Sequence, residues 1–541
     1  MTLQPAVADS HPMLRLILAC ALMLPLPLRA QEDPSPLQRT DLVFQMAQTV
    51  QNSEAAQAVQ QIALRLAAKA QGLEPLAIAR RDLVERIART RADPALDDAV
   101  RRQRLEELDV ALRVNDQALA KGFPAYLDIV APDPLTIAEA QALLDPDEAL
   151  IQMHQGKDWL TLWLISGRHV LWHRLPVTQS DAVELVAMYR ETMGLTGTLR
   201  AAAALDDEPV ATQPFNTRLA AILYQWLFAP FQAELSQYPH LMIVADKSWI
   251  GMPFATLLTD PAQAGSDPTP DMLRRASWML RDHAITMLPS AVSLRAARAN
   301  RPAPLPDSGL PTTTLLAIGD PLFTGTKGTD AVVRAATGTV DVSQLAPLPG
   351  TRREVRAIAA AFDQSSAQVL LGADASEAMI ETMDLSDRDV IVFATHGLIA
   401  GELQGLAEPA LALTPPATIT GSDDGLLTAG EVAGLTLTAD WVVLSACNTA
   451  AGDGAGAEGL SGLARAFFAA GAQALLVSHW PVRDDAAARL TASAFAEMRA
   501  HPDLRKAEAM RRAMLALMDD DSDPSLSHPV AWAPFFVVGN R

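Results

Sequence analysis

The part of the chain after residue 313 alternates continuous apolar runs with stretches that favour helices. Runs of Val, Ile, Leu and Ala without polar alternation are typical of strands that are buried on both faces. Strands that alternate with helices form a mostly parallel sheet whose faces are covered by those helices. The alternation therefore predicts an α/β fold with a mostly parallel sheet and flanking helices. The predicted strands are 314–320, 367–372, 389–397, 440–447, 474–480 and 534–539, and the predicted helices are near 351–362, 376–384, 461–470, 483–500 and 503–518.

The 541 residues are too many for one hydrophobic core, and the region before residue 313 has a different pattern. Residues 36–121 are rich in Ala, Leu, Gln, Arg and Glu, and an apolar stripe at helical spacing predicts helices there. We expect a helical hairpin packed on the rest of the chain, and an arm that binds a partner is the alternative. After residue 131, "DWLTLWLISGRHVLWHRLPV" predicts a β-hairpin and "LMIVAD" a strand, so this region is mixed α/β.

The first thirty residues have the pattern of a secretory signal. Arg15 precedes an apolar run of about fifteen residues, and Ala30 stands before a polar stretch. The run is too short to predict a transmembrane helix, so no stable membrane span is expected after removal of residues 1–30. The sequence therefore predicts an exported, periplasmic or secreted protein, and a cytoplasmic one if the segment is not a signal. Met1 and Met13 are both candidate starts.

Charge and cysteine content exclude several classes of function. The formal net charge is −20, which argues against nucleic acid as a partner, because such binding needs a basic face. Once residues 1–30 are removed, Cys447 is the one cysteine left, which excludes an intramolecular disulfide and a zinc site built on cysteines. The histidines show no spacing that suits a metal. We therefore expect neither a metal nor a cofactor.

Two predicted strands end on residues that can perform nucleophilic chemistry. One ends on His396 and Gly397, and the other ends on Cys447. The carboxyl ends of adjacent parallel strands meet at one sheet edge, about 5 Å apart. An imidazole there could take the thiol proton, and the amides of Gly397 and Cys447 could bind an oxyanion. Taken singly, each residue also fits a structural role, His396 as a histidine whose ring nitrogens are hydrogen-bonded and Cys447 as a small buried side chain.

A glycine pattern after the same strand offers an alternative. Gly454, Gly456 and Gly459 match G-x-G-x-x-G, which binds dinucleotides when it follows a strand directly. Here the first glycine comes only at the seventh residue after the strand end, and the expected acid has only the late candidates Asp484 and Asp485. A mobile loop beside a nucleophile explains these glycines with fewer assumptions.

Taken together, these stretches resemble the CHAT domain proteins, a caspase-like group often found beside TPR repeats, in the clan of caspases and separase. The resemblance implies cysteine peptidase chemistry on a caspase-like fold, with the family's histidine at His396 and its cysteine at Cys447. Their separation of 51 residues is similar to that in caspases. Resemblance spans roughly 123–541. The stretches that carry it include "LMIVADKSWIGMPFATL" (241–257), "LLAIGDPLF" (315–323), "LPGTRREVRAIAAAF" (348–362), "DVIVFATHGLIAG" (389–401), "LSACNTAAG" (444–452), "EGLSGLARAFFAAGAQALLVSHWPV" (458–482) and "HPVAWAPFFVVG" (528–539).

The resemblance also implies a domain organisation. We expect a helical segment at 31–125, as a hairpin or as a remnant of a TPR array, a non-catalytic companion region at 126–300 and a caspase-like catalytic domain at 310–541. The long loops at 321–347 and 401–430 are predicted to wall the cleft.

The sequence therefore predicts a bacterial cysteine endopeptidase that acts on protein or peptide substrates. Asp320 and Glu458 lie near the predicted strand tips and could favour Arg or Lys before the cut bond, although Asp320 could simply cap a turn and Glu458 could be solvated. The alternative function is a caspase-like scaffold without turnover that binds a partner through residues 36–121.

Overall fold

A computed structural model gives the structure of the chain over most of its length. It describes residues 36–50, 72–92, 96–122, 133–193, 214–265, 267–299, 313–323, 333–335, 338–340, 342, 345–399, 406, 408–416, 423–445, 462–480 and 482–539. The chain divides into two units, Met1–Val43 and Phe44–Arg541. Of the first unit the described part is the beginning of one helix, and the predicted signal at 1–30 lies outside the described residues. The second unit contains the rest of that helix and every other described element.

Eleven of the described strands form one sheet. The described strands are β1 (Glu148–Gln155), β2 (Leu160–Ser166), β3 (Val170–Leu175), β4 (His240–Val244), β5 (Ala284–Met287), β6 (Leu315–Pro321), β7 (Val333–Ala335), β8 (Gly338–Val340), β9 (Ala367–Gly372), β10 (Val390–Ala394), β11 (Gly397–Leu398), β12 (Ala410–Ala412), β13 (Leu426–Thr428), β14 (Trp441–Leu444), β15 (Ala474–Ser478) and β16 (Phe535–Gly539). The order of strands in the large sheet is β3-β2-β1-β4-β5-β16-β15-β14-β10-β6-β9. Two smaller sheets have the orders β11-β12-β13 and β7-β8.

Helices fill the connections between these strands. The α-helices are α1 (Pro36–Val50), α2 (Glu74–Ala92), α3 (Asp98–Gly122), α4 (Ile137–Leu143), α5 (Gln179–Glu191), α6 (Thr217–Leu227), α7 (Gln232–Leu235), α8 (Pro270–Arg275), α9 (Met279–Asp282), α10 (Ser293–Ala299), α11 (Pro349–Ala359), α12 (Glu377–Thr382), α13 (Ala429–Gly434), α14 (Gly462–Ala470), α15 (Asp484–Ala500), α16 (Lys506–Met518) and α17 (Pro529–Trp532). Short 3₁₀ turns lie at Ala229–Phe231, Phe254–Thr256, Pro261–Gln263 and Pro524–Ser527.

The predicted mostly parallel sheet with flanking helices is confirmed. β9, β6, β10, β14 and β15 run parallel to one another in that order, and every residue of β10, β14, β15 and β16 is buried. This burial accounts for the continuous apolar runs, because a strand covered on both faces has no solvent-facing side. The predicted hairpin also forms, as β2 and β3 pair antiparallel.

One strand joins the two halves of the large sheet. β16 runs parallel to β5 on one side and antiparallel to β15 on the other. Strands from 126–300 and from 310–541 therefore belong to the same sheet, and the division of the chain into these two ranges stays a prediction.

The described helices of the predicted helical segment include a packed pair. Arg80 on α2 forms an ion pair with Asp116 on α3, with a distance of 3.0 Å between Nε and Oδ1, and Asn115 donates to the carbonyl of Leu76. Arg81 donates to the carbonyl of Ala433 on α13, which ties α2 to the second half of the chain. The pair is thus held by polar contacts as well as by its apolar faces.

Candidate active site

His396 lies two residues beyond the end of β10, at the carboxyl edge of the large sheet. Its side chain is 7% exposed, and Nε2 lies 2.8 Å from the carbonyl oxygen of Ala346. The ring also packs on Phe323, with 5.4 Å between ring centroids and a tilt of 44°. Ala346 and Phe323 both belong to the loop predicted at 321–347, so the described ends of that loop hold the imidazole in place.

The contact with Ala346 sets the chemistry of the imidazole ring. A carbonyl oxygen only accepts hydrogen bonds, so Nε2 must carry the proton. In the neutral ring the lone pair that can act as a base is therefore on Nδ1. Burial lowers the pKa of His396 below 6.5, against smaller raising effects of the Ala346 contact and the Asp484 charge. The ring is therefore neutral at pH 7 and available as a base.

The strand that leads to Cys447 lies next to the strand that leads to His396. Val390 pairs with Trp441 and Phe393 with Leu444, so paired residues of β10 and β14 are 51 positions apart in the sequence. His396 and Cys447 are separated by the same 51 positions. The last described residue after β14 is Ser445, and Cys447 itself lies outside the described residues.

Gly397 begins a short strand immediately after the histidine. Gly397 pairs with Leu411, and the amide of Ala412 donates to the carbonyl of His396 at 2.9 Å. This pattern makes Gly397 and Leu411 a non-hydrogen-bonded pair, in which the amides point away from the partner strand. The Gly397 amide is therefore not used in the ladder and could donate to an oxyanion.

Asp320 is the next-to-last residue of β6 and lies at a break in the strand register between Gly319 and Pro321. Its backbone has a positive φ of 48°, which non-glycine residues rarely adopt. Two neighbours on α11 stabilise this conformation, because Thr351 Oγ1 accepts the Asp320 amide at 2.8 Å and Arg352 Nε donates to its carboxylate at 2.6 Å. Asp320 therefore lies at the predicted edge, with its charge shared with Arg352. Glu458, the other predicted specificity residue, lies outside the described residues.

The sequence interpretation missed a buried carboxyl group beside this edge. Glu354 on α11 is 1% exposed, its Oε1 lies 3.1 Å from Thr491 Oγ1 on α15, and it is hydrogen-bonded to the Ser445 side chain. A signal was present, because Glu354 shares the apolar stripe of α11 with Val355 and Ile358. An acid on the buried face of an amphipathic helix needs a polar partner, and that requirement could have drawn notice to Glu354.

Asp484 begins α15 and packs against the first turn of α11. A Cβ added at Gly350 would lie 2.0 Å from Oδ2 of Asp484 and 2.5 Å from its Cβ, so this approach requires glycine. Asp484 is also the charge that raises the pKa of His396. The sequence had named Asp484 as a late candidate for a dinucleotide motif. Its observed neighbours belong to the histidine site, and the glycines of that motif, 454–459, lie outside the described residues.

A second buried acid supports the small sheet behind Gly397. Glu377 on α12 is fully buried, and its Oε2 accepts the amides of Asp424 at 3.0 Å and Gly425 at 3.1 Å. Burial, with a smaller contribution from the charge of Glu431, raises the pKa of Glu377 to about 8. Glu377 therefore keeps a proton in the folded state that it would lose in the unfolded state at neutral pH.

This proton predicts a loss of stability at alkaline pH. Because the pKa is raised, the stabilisation is full below the unfolded value of 4.5 and disappears as pH rises through about 8. Glu377→Gln, which cannot ionise, is expected to abolish about 3 kcal/mol of the decline between pH 5.5 and 8.5. Urea unfolding at the two pH values measures this, with the exposed Glu184→Gln as control. A decline of equal size in Glu377→Gln and wild type would contradict it.

The described residues offer neither a metal site nor a membrane span. They contain no group of three or more His, Cys, Asp or Glu side chains arranged to hold a metal ion. None of the helices in the described ranges is long and apolar enough to cross a bilayer.

Comparison with known proteins gives one family match and several partial similarities. Residues 217–540 match the family model described as "CHAT domain". Tetratricopeptide repeat protein 28 of Mus musculus is 38% identical over 115 residues, a match that covers 21% of this chain and 4% of that protein. The chain therefore matches only a small fraction of this curated relative's length.

Two solved structures are similar over larger ranges. The separase–securin complex of Saccharomyces cerevisiae has 12% identity and a TM-score of 0.41, covering 88% of this chain and 36% of that chain. The Arg-specific cysteine proteinase gingipain R (RgpB), from Porphyromonas gingivalis, has 13% identity and a TM-score of 0.32, covering 67% and 74%. At such identities the similarity concerns the fold alone.

Proposed function

Since this chain belongs to the CHAT domain family, we propose that it is a cysteine endopeptidase in which Cys447 is the nucleophile and His396 its base. One observation carries the proposal: the register of β10 and β14 has the same offset of 51 residues that separates His396 from Cys447. Two chain segments that leave adjacent parallel strands in this register end at the same edge of the sheet. The buried imidazole, with its proton held on Nε2, supports the assignment of the base.

The proposed reaction has two halves. Nδ1 of His396 accepts the Cys447 thiol proton, and the thiolate attacks the substrate carbonyl carbon, whose π electrons move to its oxygen. The amides of Gly397 and Cys447 donate to that oxyanion. The C–N bond then breaks while His396 returns the proton to the departing amine, which leaves a thioester. Water, deprotonated by His396, hydrolyses the thioester and regenerates the thiol.

The proposed preference of the site is for Arg or Lys before the cut bond. It depends on the carboxylates of Glu458 and Asp320, of which Asp320 shares its charge with Arg352. A substrate guanidinium would therefore compete with Arg352 for Asp320, so Glu458 would carry more of the selectivity than the sequence suggested.

Partners and location also belong to the proposal. The similarity to a tetratricopeptide repeat protein supports interaction with another protein. Val110 and Val114 on α3 are 52% and 62% exposed, which makes the helical segment the proposed place for such a contact. The signal-like residues 1–30 support export to the periplasm or medium.

Unbiased mapping of cleaved peptides tests the activity. A digest of a denatured proteome with the wild-type protein is compared with one made with Cys447→Ala, and cuts present in the first alone are expected, enriched for Arg or Lys before the bond. Identical digests, together with a Cys447 thiol that titrates near its ordinary pKa of about 8.5, would favour the scaffold without turnover instead.

A further inference from the structure

The buried carboxyl group of Glu354 takes no part in the steps proposed above. Its described partners are two hydroxyl groups, those of Thr491 on α15 and Ser445 after β14. α11 also packs closely on α15 and on β6, so Glu354 lies where two helices meet the sheet edge. Ser445 precedes Cys447 by two residues in the chain. A buried acid with such partners either serves stability alone or holds the nucleophile's segment.

The hydrogen bonds of Thr491 indicate which form of Glu354 is present. Thr491 Oγ1 lies 2.8 Å from the carbonyl oxygen of Ala487, which can only accept. Thr491 Oγ1 can donate to Glu354 Oε1, 3.1 Å away, when Glu354 is ionised, but its single proton serves only one of the two acceptors at a time. With Glu354 protonated, both contacts are satisfied at once, because the acid donates to Thr491 while Thr491 donates to Ala487, and the carboxyl group can still accept from Ser445.

Burial and charge favour the same form. Burial, with a smaller contribution from the charge of Asp484, raises the pKa of Glu354 to about 7, against the lowering effect of the hydroxyl bonds. The charge of Asp484 also acts on His396, so a second negative charge on Glu354 would add to the one that already influences the imidazole. A neutral Glu354 avoids this and leaves one carboxylate to act on the ring.

We propose that Glu354 is a positioning residue, which anchors Ser445 and thereby fixes the end of β14 from which the chain continues to Cys447. The anchor spans three elements, because Glu354 is on α11, Thr491 on α15 and Ser445 at the end of β14. The inference rests on the proposed function, since it concerns how Cys447 is presented to His396. A nucleophile held in this way reacts faster than a thiol on an unanchored segment.

The rate at which iodoacetamide alkylates Cys447 at pH 6.5 tests the anchor without any substrate. The measurement uses the full chain carrying Cys20→Ser, so that Cys447 is the remaining thiol. At this pH an unassisted thiol is only about 1% ionised, so loss of the anchor lowers the rate. Glu354→Leu keeps the volume but removes both hydrogen bonds, and we expect it to slow alkylation about tenfold. Glu354→Gln can donate to Thr491 and accept from Ser445, and we expect it to remain within about twofold of the parent.

Three further variants keep the test decisive if Glu354→Leu fails to fold. Ser445→Ala removes the same bond from the other side and is expected to slow alkylation by the same factor. The double variant that combines Ser445→Ala with Glu354→Leu is expected to be alkylated no more slowly than either single variant, because both changes remove the same hydrogen bond. Thr382→Val removes an exposed hydroxyl group on α12 whose hydrogen bond is to Met379, and it is the control, with a rate near that of the parent.

Two results would overturn the anchor. One is parental alkylation rates in both Glu354→Leu and Ser445→Ala. The other is equal slowing by Glu354→Gln and Glu354→Leu, because Gln keeps both hydrogen bonds and the anchor would then not explain the loss. The outcome is separable from that of the proposed function. If the protein cleaves peptides but the alkylation rate does not depend on Glu354, the anchor alone is wrong. If the alkylation rate depends on Glu354 but no peptide is cleaved, the proposed peptidase activity alone is wrong.

Discussion

Replacement of His396 with alanine is expected to lower kcat/KM for a cleaved peptide by about 10³-fold, since general base catalysis contributes roughly 10² to 10⁴. The reason is specific to this ring. Nε2 is committed to the carbonyl of Ala346, so Nδ1 is its one basic atom, and burial keeps the ring neutral to below pH 6.5. Steady-state kinetics with a peptide taken from the cleavage map measures the loss. In the parent, the acid limb of the pH profile is expected below pH 6.5, because the pKa is lowered.

The control for this variant is His501→Ala, which changes an exposed histidine outside the site. It should keep parental kinetics, and both variants should unfold at similar urea concentrations. Retention of more than a tenth of the parental kcat/KM in His396→Ala would contradict the assignment of the base. An acid limb of the pH profile that stays at the same pH in His396→Ala would also contradict this assignment.

Replacement of Gly350 with alanine is expected to destabilise the protein by about 3 kcal/mol, as overpacking does when no side-chain rotation can relieve it. The added methyl group would overlap both the carboxylate and the Cβ of Asp484, at 2.0 and 2.5 Å. Rotation of Asp484 moves its carboxylate but leaves its Cβ in place, so the first turn of α15 must shift. Urea unfolding gives the free energy, and the pH profile shows whether His396 loses the Asp484 charge.

Gly434→Ala is the matched control, because a Cβ at that glycine would meet nothing within 4 Å. Alanine favours helix over glycine by about 1 kcal/mol, so this variant on α13 should be neutral or slightly more stable. If Gly350→Ala were as stable as Gly434→Ala, the close approach of α15 to α11 would not exist in solution.

Local pattern was sufficient to predict the strands on the parallel side of the sheet and the edge at which His396 lies. β9 has the predicted bounds, and β10 and β14 lie within the predicted runs, because a strand buried on both faces is apolar throughout. The edge was predictable since parallel strands share one carboxyl side. From the sequence, the 51-residue spacing of His396 and Cys447 was only a similarity to caspases. In the structure, β10 and β14 pair with the same offset of 51 residues.

Features that depend on packing between distant segments were not predictable from the same patterns. β1 and β5 were not predicted, and the antiparallel pairing of β16 depends on which strands it meets, which local sequence does not encode. The partner of Asp320 is Arg352, thirty-two residues later, and it is reached only because α11 docks over β6. Glu354 acquires its role in the same way, from the approach of α11 to α15 and β14.

The position of β16 between β5 and β15 bears on what a nick in the backbone would do. If the connection from β5 to β6 were cut, the two pieces would still share a continuous ladder of main-chain hydrogen bonds through β16. Separating them would require opening the sheet between β5 and β16, which exposes two unpaired edges and the apolar faces beside them. The fragments would therefore co-migrate under native conditions. Processing at that connection could rearrange the surroundings of the cut, but it could not liberate the part of the molecule that contains the histidine.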